Sequence, residues 1–286
     1  MTFTVPCETV NAINSNLPVV LVTGASSGLG ASTALMLVSR GYRVAGAARR
    51  TDLVERLPGV LPVHLDLADD DSIERAVERV EQQLGPVGIL INNAGYGEFG
   101  SIEETPIELA RRQFEINVFG LVRLTQHVIP SMRDASAGRI VNVSSLAGEF
   151  SSPLGGWYHA SKFALEALSD SMRAELRPFG ISVAVVQPGP VRTAWHEEAM
   201  QRLEATSGDG PYREMAGAVA RYHRATQATA ITSDVDSVAA AIVEAATAER
   251  PRTRSRVGRG ASIAVTLSRL PDRVFDAMTR RQFGLT

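Results

Sequence analysis

The sequence predicts an α/β fold, a doubly wound parallel sheet within a single domain. Three observations carry that prediction. Short, wholly apolar runs such as Val19-Val20-Leu21-Val22 have the β-branched composition of strands buried on both faces. Segments of helical length follow these runs, and strand-then-helix repetition implies parallel strands joined by right-handed crossovers. Polar clusters fall just after the runs, where open α/β sheets place their ligands. With 286 residues and 44% hydrophobic content, the chain can bury a core of that size.

Each element follows in order. The first strand, Val19 to Val22, runs into Thr23-Gly24-Ala25-Ser26-Ser27-Gly28-Leu29-Gly30, and a helical stretch from Ala31 to Ser39 is closed by Gly41. Tyr42 to Ala47 is the expected second strand, ending in Ala48-Arg49-Arg50, and Leu61 to Leu65 the third, delivering Asp66. The helix expected from Asp69 to Leu84 opens with acids that suit its positive end. It spaces Ile73, Val77 and Val80 on one face. Gly88 to Ile91 is the fourth strand, ending at Asn92-Asn93-Ala94-Gly95. A long helical region around Phe114 to Met132 precedes the fifth, Arg139 to Val143, which ends at Ser144-Ser145. A helix carrying Tyr158 follows, and then a sixth strand, Ile181 to Val186, ending at Gln187-Pro188-Gly189. Beyond Pro190 the pattern loosens. Residues 193–230 mix helical stretches with the breaker Ser207-Gly208-Asp209-Gly210-Pro211 and are expected to form a mobile substrate lid. Asp236 to Ala248 reads as a helix, Thr253 to Val257 as a last edge strand and Ser268 to Gln282 as a final amphipathic helix. Residues 1–17 read as a flexible arm, 18–286 as the domain, and 251–286 as its C-terminal extension.

Composition narrows the function classes. A net charge of −2 gives no global reason to expect a nucleic-acid partner. The one cysteine, Cys7, rules out an intrachain disulfide and a cysteine-based metal cluster, which fits a reducing, cytoplasmic setting. The first 17 residues lack the basic start and apolar core of a secretory signal, and no apolar run is long enough to span a bilayer. His127, His159 and His196 lack metal-ligand spacing and read as surface histidines, so no metal site is expected. Lysine occurs once, at Lys162; every other basic side chain among the 29 Lys and Arg is arginine. A lone lysine suggests a compact ammonium bonding two hydroxyls at once, which a planar guanidinium does badly. It stands four residues after Tyr158, so one helical turn brings ammonium and phenol to the same face.

Glycines 24, 28 and 30 follow the first strand in the spacing Gly-x-x-x-Gly-x-Gly, a strand–turn–helix cradle for pyrophosphate. Glycine permits the tight turn and the close approach of backbone N–H groups, with the helix dipole behind them. No Gly-Lys-Ser/Thr ending follows, which argues against a nucleotide-triphosphate loop. Together with Asn92-Asn93-Ala94-Gly95, Asn117, Ser145, Tyr158-x-x-x-Lys162 and Pro188-Gly189, this pattern resembles the short-chain dehydrogenase/reductase family, in order from about Pro18 to Thr193.

The resemblance implies a Rossmann-like fold and hydride transfer between a nicotinamide cofactor and a carbonyl/alcohol pair. It further implies that Tyr158 exchanges a proton with the substrate oxygen and that Ser145 hydrogen-bonds that oxygen. Lys162 would hold the cofactor ribose and lower the phenol's pKa, which lies near 10 for a free tyrosine. Asn117 would bend its helix and hold a water leading to Lys162. Cofactor contacts are implied for Gly24, Ser26, Ser27, Gly28, Leu29, Gly30, Asp66, Leu67, Asn93, Ala94, Gly95, Tyr158, Lys162, Pro188, Gly189, Val191 and Thr193. At the end of the second strand an acid would favour NAD through the ribose 2′-OH. Arg49 and Arg50 stand there instead, and a guanidinium fork suits the 2′-phosphate of NADP, so NADP(H) is the expected cofactor. The competing reading is two solvated arginines at a strand end.

Tyr96, Glu149, Phe150, Leu154, Trp157, Val191, Trp195 and Met200 flank these motifs, and most are apolar or aromatic. Such a lining suits a bulky lipophilic alcohol or ketone, with Trp195 the expected substrate contact beside Ser145 and Tyr158. The Gly95-Tyr96-Gly97 turn and the C-terminal extension make the chain similar to 17β-hydroxysteroid dehydrogenase-like members. Family members commonly pair through the helices containing Asn117 and Tyr158, which implies a homo-dimer or homo-tetramer. Two rival readings come from other classes. A catalytically inactive NADP-binding sensor or scaffold would have no need of Tyr158 and Lys162 together. A membrane-surface protein is suggested by the extension, with eight arginines against Asp272 and Asp276 and an apolar complement including Ile263, Leu267, Val274 and Met278. Such a segment more often packs on its own domain or on a partner subunit.

Overall fold

The computed structural model describes residues 14 and 16–285, so Cys7 and most of the expected N-terminal arm lie outside the described residues. Val19–Thr23 (β1) is buried along its whole length. A strand alternates its side chains, so Val20 and Val22 enter one core while Val19 and Leu21 enter the other. The remaining strands are Val44–Ala48 (β2), Val60–His64 (β3), Val87–Asn92 (β4), Gly138–Val143 (β5), Ile181–Pro188 (β6) and Arg254–Val257 (β7). All pair in parallel, in the order β3-β2-β1-β4-β5-β6-β7. The order reverses between β1 and β4, which opens a crevice beyond their carboxyl ends.

Helices run at Gly28–Ser39 (α1), Thr51–Val54 (α2), Asp70–Leu84 (α3), Ile107–Phe114 (α4), Leu121–Asp134 (α5) and Gly156–Leu176 (α6). They continue at Ala194–Ser207 (α7), Arg213–Gln227 (α8), Val235–Thr247 (α9), Ala261–Leu267 (α10) and Asp272–Gln282 (α11). Ala34 and Leu37 of α1 and Val238, Ile242 and Val243 of α9 cover one face of the sheet. The other face is covered by Ile73, Val77 and Val80 of α3, Leu124, Val128 and Met132 of α5, and Leu176 of α6. Each of the Val, Leu, Ile and Met side chains contributes roughly 1.5–3 kcal/mol by leaving water. Helix α3 starts where expected because Asp69 caps it, its carboxylate accepting from Asp71 N at 3.0 Å and Ser72 N at 3.3 Å.

Three elements differ from the sequence expectation. The second strand begins at Val44 rather than Tyr42, because Tyr42 still belongs to the end of α1. Its N–H reaches back to Leu37 O at 3.1 Å, around Gly41 at φ +84°, a left-handed helix stop. The final helix begins at Asp272 rather than Ser268, with Pro271 at its N-cap position, and a separate short helix, α10, precedes it. Between α4 and α5 the residues Glu115–Gly120 form a π-helical turn that the 3.6-residue pattern does not reveal.

Candidate active site

The glycine turn is built on Thr23. Its hydroxyl accepts from Asn93 N at 3.0 Å and Ala94 N at 2.9 Å, and Asn93 Nδ2 donates to Thr23 O at 2.9 Å. The loop after β4 is thereby pinned beneath the loop after β1. Gly24, at φ +69°, fits only without a side chain, since a Cβ would stand 2.9 Å from Asn93 Nδ2. A Cβ on Gly28 would project into open space faced only by Thr193, whose Cγ2 would lie 3.6 Å away. Two ends of the expected cofactor contacts, Gly28 and Thr193, therefore face each other across one cleft. At this point α1 begins with no acidic residue in its first turn and no side-chain cap from Ser27, which leaves its N–H groups and positive dipole end for an anion.

Tyr158 and Lys162 are both buried in α6. Burial pushes the Tyr158 phenol up to about 12, and a hydrogen bond with Ser145 opposes that rise. Ser145 also accepts from Ala147 N at 3.1 Å, which fixes its rotamer. Burial likewise pushes the Lys162 ammonium down to about 8, with Glu166 pulling the other way. The ammonium donates to Val143 O at 3.0 Å and lies 5.9 Å from the Tyr158 ring centre. Glu166 does not neutralise it closely, because its carboxylate is held by Gln187 Nε2 at 2.9 Å and Arg254 Nε at 2.9 Å. The influence that lowers the Tyr158 phenol here comes from Ser145.

Asn117 sits in the π-helical turn, which turns its amide inward. Oδ1 accepts from Tyr96 N at 3.1 Å, and Nδ2 donates to Tyr96 O at 2.9 Å and to Ser161 Oγ at 3.1 Å. A Cβ on Gly95 would stand 3.0 Å from Asn117 Oδ1 and 3.9 Å from Lys162 Nζ. Asn117, Gly95 and Lys162 thus meet at one point, next to Ser161, which the motif spacing does not single out.

The remaining expected residues divide. Gly189 closes β6 by donating its N–H to Val257 O at 2.8 Å. Val191 turns its side chain into the sheet core beside β6. Leu67 is buried, and its carbonyl packs against Gly120, where a Cβ would stand 2.0 Å away. Asp66 accepts from Ala68 N at 3.0 Å. Arg49 and Arg50 are exposed at the end of β2, as are Ser27 and, in part, Ser26.

Of the flanking apolar residues, Leu154, Trp195 and Met200 gather around Tyr158 in one cluster with Phe99. The Trp195 ring lies 5.2 Å from that of Tyr158, and Phe99 lies 5.6 Å from it. Trp157 instead packs on Phe114 at 6.4 Å, and Glu149 joins Arg256 and Gln187. Helices α7 and α8 close over the cluster. A cavity of about 220 Å³ between them has Thr193, His196, Met200 and His223 in its lining, but neither Tyr158 nor Ser145. Two of the three histidines expected at the surface are not there. His159 is buried, with Nδ1 2.5 Å from Phe150 O and Nε2 2.9 Å from Ser152 Oγ. His196 lies under the cap, where burial pushes it and His223 down to about 4. His127 is exposed. Phe99, His223 and Phe283 border the cap but carry no local motif that would reveal it. No cluster of His, Cys, Asp or Glu among the described residues could hold a metal ion.

The family model described as "short chain dehydrogenase" matches residues 18–204. Among curated proteins, the chain is 34% identical over 263 residues to the probable short-chain type dehydrogenase/reductase VdlC of Helicobacter pylori, covering 91% of this chain and 96% of that one. It is 32% identical to the NADPH-dependent 3-dehydrocapnine reductase of Ornithobacterium rhinotracheale, covering 90% and 94%. A short-chain dehydrogenase structure from Streptomyces avermitilis superposes with a TM-score of 0.76 at 33% identity, covering 88% and 91%. Two Burkholderia structures do so at 27% identity. The B. cenocepacia one, in complex with NADP, gives 0.71 over 94% and 98%; the B. phymatum one, in complex with NAD, gives 0.74 over 87% and 92%. The shared sheet, the glycine cradle after β1 and the match through β6 have one explanation: the chain belongs to the short-chain dehydrogenase/reductase family, oxidoreductases that act on a CH–OH group with NAD(P).

Proposed function

We propose that the protein reduces a bulky lipophilic ketone to a secondary alcohol with NADPH, through Tyr158, Ser145, Lys162 and Asn117. The observation that carries this reading is the buried Tyr158 phenol, held at about 12 beside Ser145 and Lys162. At neutral pH it keeps its proton, the state needed to protonate a carbonyl oxygen. The cofactor, when bound, supplies the hydride. Ser145 orients the carbonyl oxygen by hydrogen bond, and Tyr158 donates its proton to that oxygen. Lys162, left without a close carboxylate, holds the ribose hydroxyls and stabilises the phenolate that results. Asn117 fixes the Gly95 turn against Lys162 and keeps the water path behind it. The residues fit the group: the open cradle at Gly28 and the uncapped start of α1 suit a pyrophosphate.

NADP rather than NAD is supported by exposed Arg49 and Arg50 at the end of β2, with no acid there. A lipophilic substrate is supported by the Phe99, Leu154, Trp195 and Met200 cluster around the phenol. A steroid-like substrate rests on the Gly95-Tyr96-Gly97 turn and the C-terminal extension. The resemblance to an NADPH-dependent 3-dehydrocapnine reductase supports reduction with NADPH. Exposed Phe119 and Phe163, on the helical segments of Asn117 and Tyr158, support a homo-oligomer paired there, which sedimentation velocity decides. A cytoplasmic setting is the matching compartment for NADPH-driven reduction.

NADPH oxidation across steroids, retinoids, quinones and long-chain ketones tests the activity. Tyr158→Phe is expected to lose about 10²–10⁴-fold in turnover while still binding NADPH. Near-wild-type turnover in that variant would remove Tyr158 from the mechanism. A chain that binds NADPH but oxidises it with none of these would favour the sensor reading.

A further inference from the structure

The C-terminal segment carries an apolar stripe that nothing among the described residues covers. Ile263, Leu267, Leu270, Val274 and Met278 are all exposed, Ile263 to 66% and Val274 to 46%. Ile263 and Leu267 stand one turn apart on α10, Val274 and Met278 one turn apart on α11, and Leu270 lies in the turn between the two helices. Helix α11 has no buried residue at all. Arg259, Arg269, Arg273 and Arg281 are exposed and in no ion pair among the described residues, against Asp272 and Asp276 on α11, which are exposed as well. This differs from Arg254 and Arg256 of β7, which Glu166, Asp170 and Glu149 hold.

The segment does not hang free. Ala261 and Val265 are buried beside Leu146, the Phe275 ring lies 6.0 Å from Phe150, and the Phe283 ring lies 4.9 Å from Tyr222 of α8. Anchors on one side and a cation-rimmed apolar stripe on the other make a rigid platform facing outward. We infer that residues 259–281 seat the protein on an anionic lipid surface, with the stripe at the acyl boundary and the arginines among the phosphates. The excess of arginine over aspartate in this segment favours an anionic surface over the same stripe paired with itself in a second copy. Of the expectation that this segment packs on its own domain or on a partner subunit, Val265, Phe275 and Phe283 meet the first part, while the stripe stays exposed. No helix among the described residues is long and apolar enough to cross a membrane, so the contact lies in the interface plane.

The test is co-sedimentation of the full chain with vesicles of phosphatidylcholine alone or with about 30 mol % phosphatidylglycerol. The wild type is expected to pellet with the anionic vesicles and to stay in solution with the neutral ones. The double variant Val274→Glu, Met278→Glu and the double variant Arg269→Glu, Arg273→Glu should each reduce pelleting about tenfold or more. Both alter exposed positions, so unchanged far-UV circular dichroism is expected, and the readout needs neither cofactor nor substrate. Wild-type protein left in solution with anionic vesicles would overturn the inference, as would undiminished pelleting of both variants. A loss of subunit association in Val274→Glu, Met278→Glu without vesicle binding by the wild type would reassign the stripe to a contact between copies of the chain.

Discussion

Lys162 is an ammonium kept out of water whose nearest carboxylate, Glu166, is bound by other partners. Its folded pKa of about 8 lies below the 10.5 of a free lysine. Between those values the unfolded chain binds more protons, so stability should rise with pH across that window, and the cost of burial is fully present below about 8. Lys162→Met should therefore stabilise the cofactor-free protein at pH 7, by up to about 3 kcal/mol. The gain should shrink by pH 9.5, where the wild-type lysine is already neutral. Denaturant melts at the two pH values check this, and an equal gain at both would show that charge burial is not the cause. Arg49→Ala addresses the other end of the cofactor. If its guanidinium pairs with the 2′-phosphate, the loss should be roughly 1.5–3 kcal/mol for NADPH, one to two decades, and far smaller for NADH. Fluorescence titration with both cofactors reads it; equal losses would point to Arg50. At this scale the sequence was most legible. Tyr158 and Lys162 are one turn apart on a helix, so spacing alone brings them together. Phe99, His223 and Phe283 were not legible, because only the tertiary return of distant segments assembles them around the cap.

The elements that enclose the substrate side are α7 and α8, separated by the Ser207-to-Pro211 breaker where the sequence suggested. They pack Ala199, Met200, Leu203, Ala216, Val219 and Ala220 against Tyr158 and Phe99, with Trp195 over the phenol. The indole packs against the Tyr158 ring within the cluster that these two helices form. We therefore expect 193–230 to act as a lid that opens and reorders over bound ligand, excluding water from the transfer. Hydrogen exchange on the free protein and on its complex with NADP and a ligand should show amides in this stretch more protected in the complex. Equal protection in both states would make it a fixed insertion. Strand existence was legible from β-branched runs, whereas the π-helical turn was not. Gly120, which ends that turn, lies so close to the Leu67 carbonyl that no side chain fits there.

The whole molecule is one seven-stranded sheet whose strand ends gather the glycine cradle, Asn93, Ser145 and Gly189 at one crevice. That convergence was legible because every polar cluster follows a strand. The face of the extension was not, because periodicity marks a stripe without saying whether anything covers it. Strand order has a further consequence in time. β7 closes the edge of β6, yet 65 residues separate Pro188 from Arg254. On a ribosome adding about 5–20 residues per second, β6 waits roughly 3–13 s with its outer backbone groups unpaired. During that interval Glu149 and Glu166 also lack the arginines that later bind them. Their negative charge beside an open strand edge discourages other nascent chains from adding to it. The carboxylates that lock β7 in the finished protein thus guard its vacant place during synthesis.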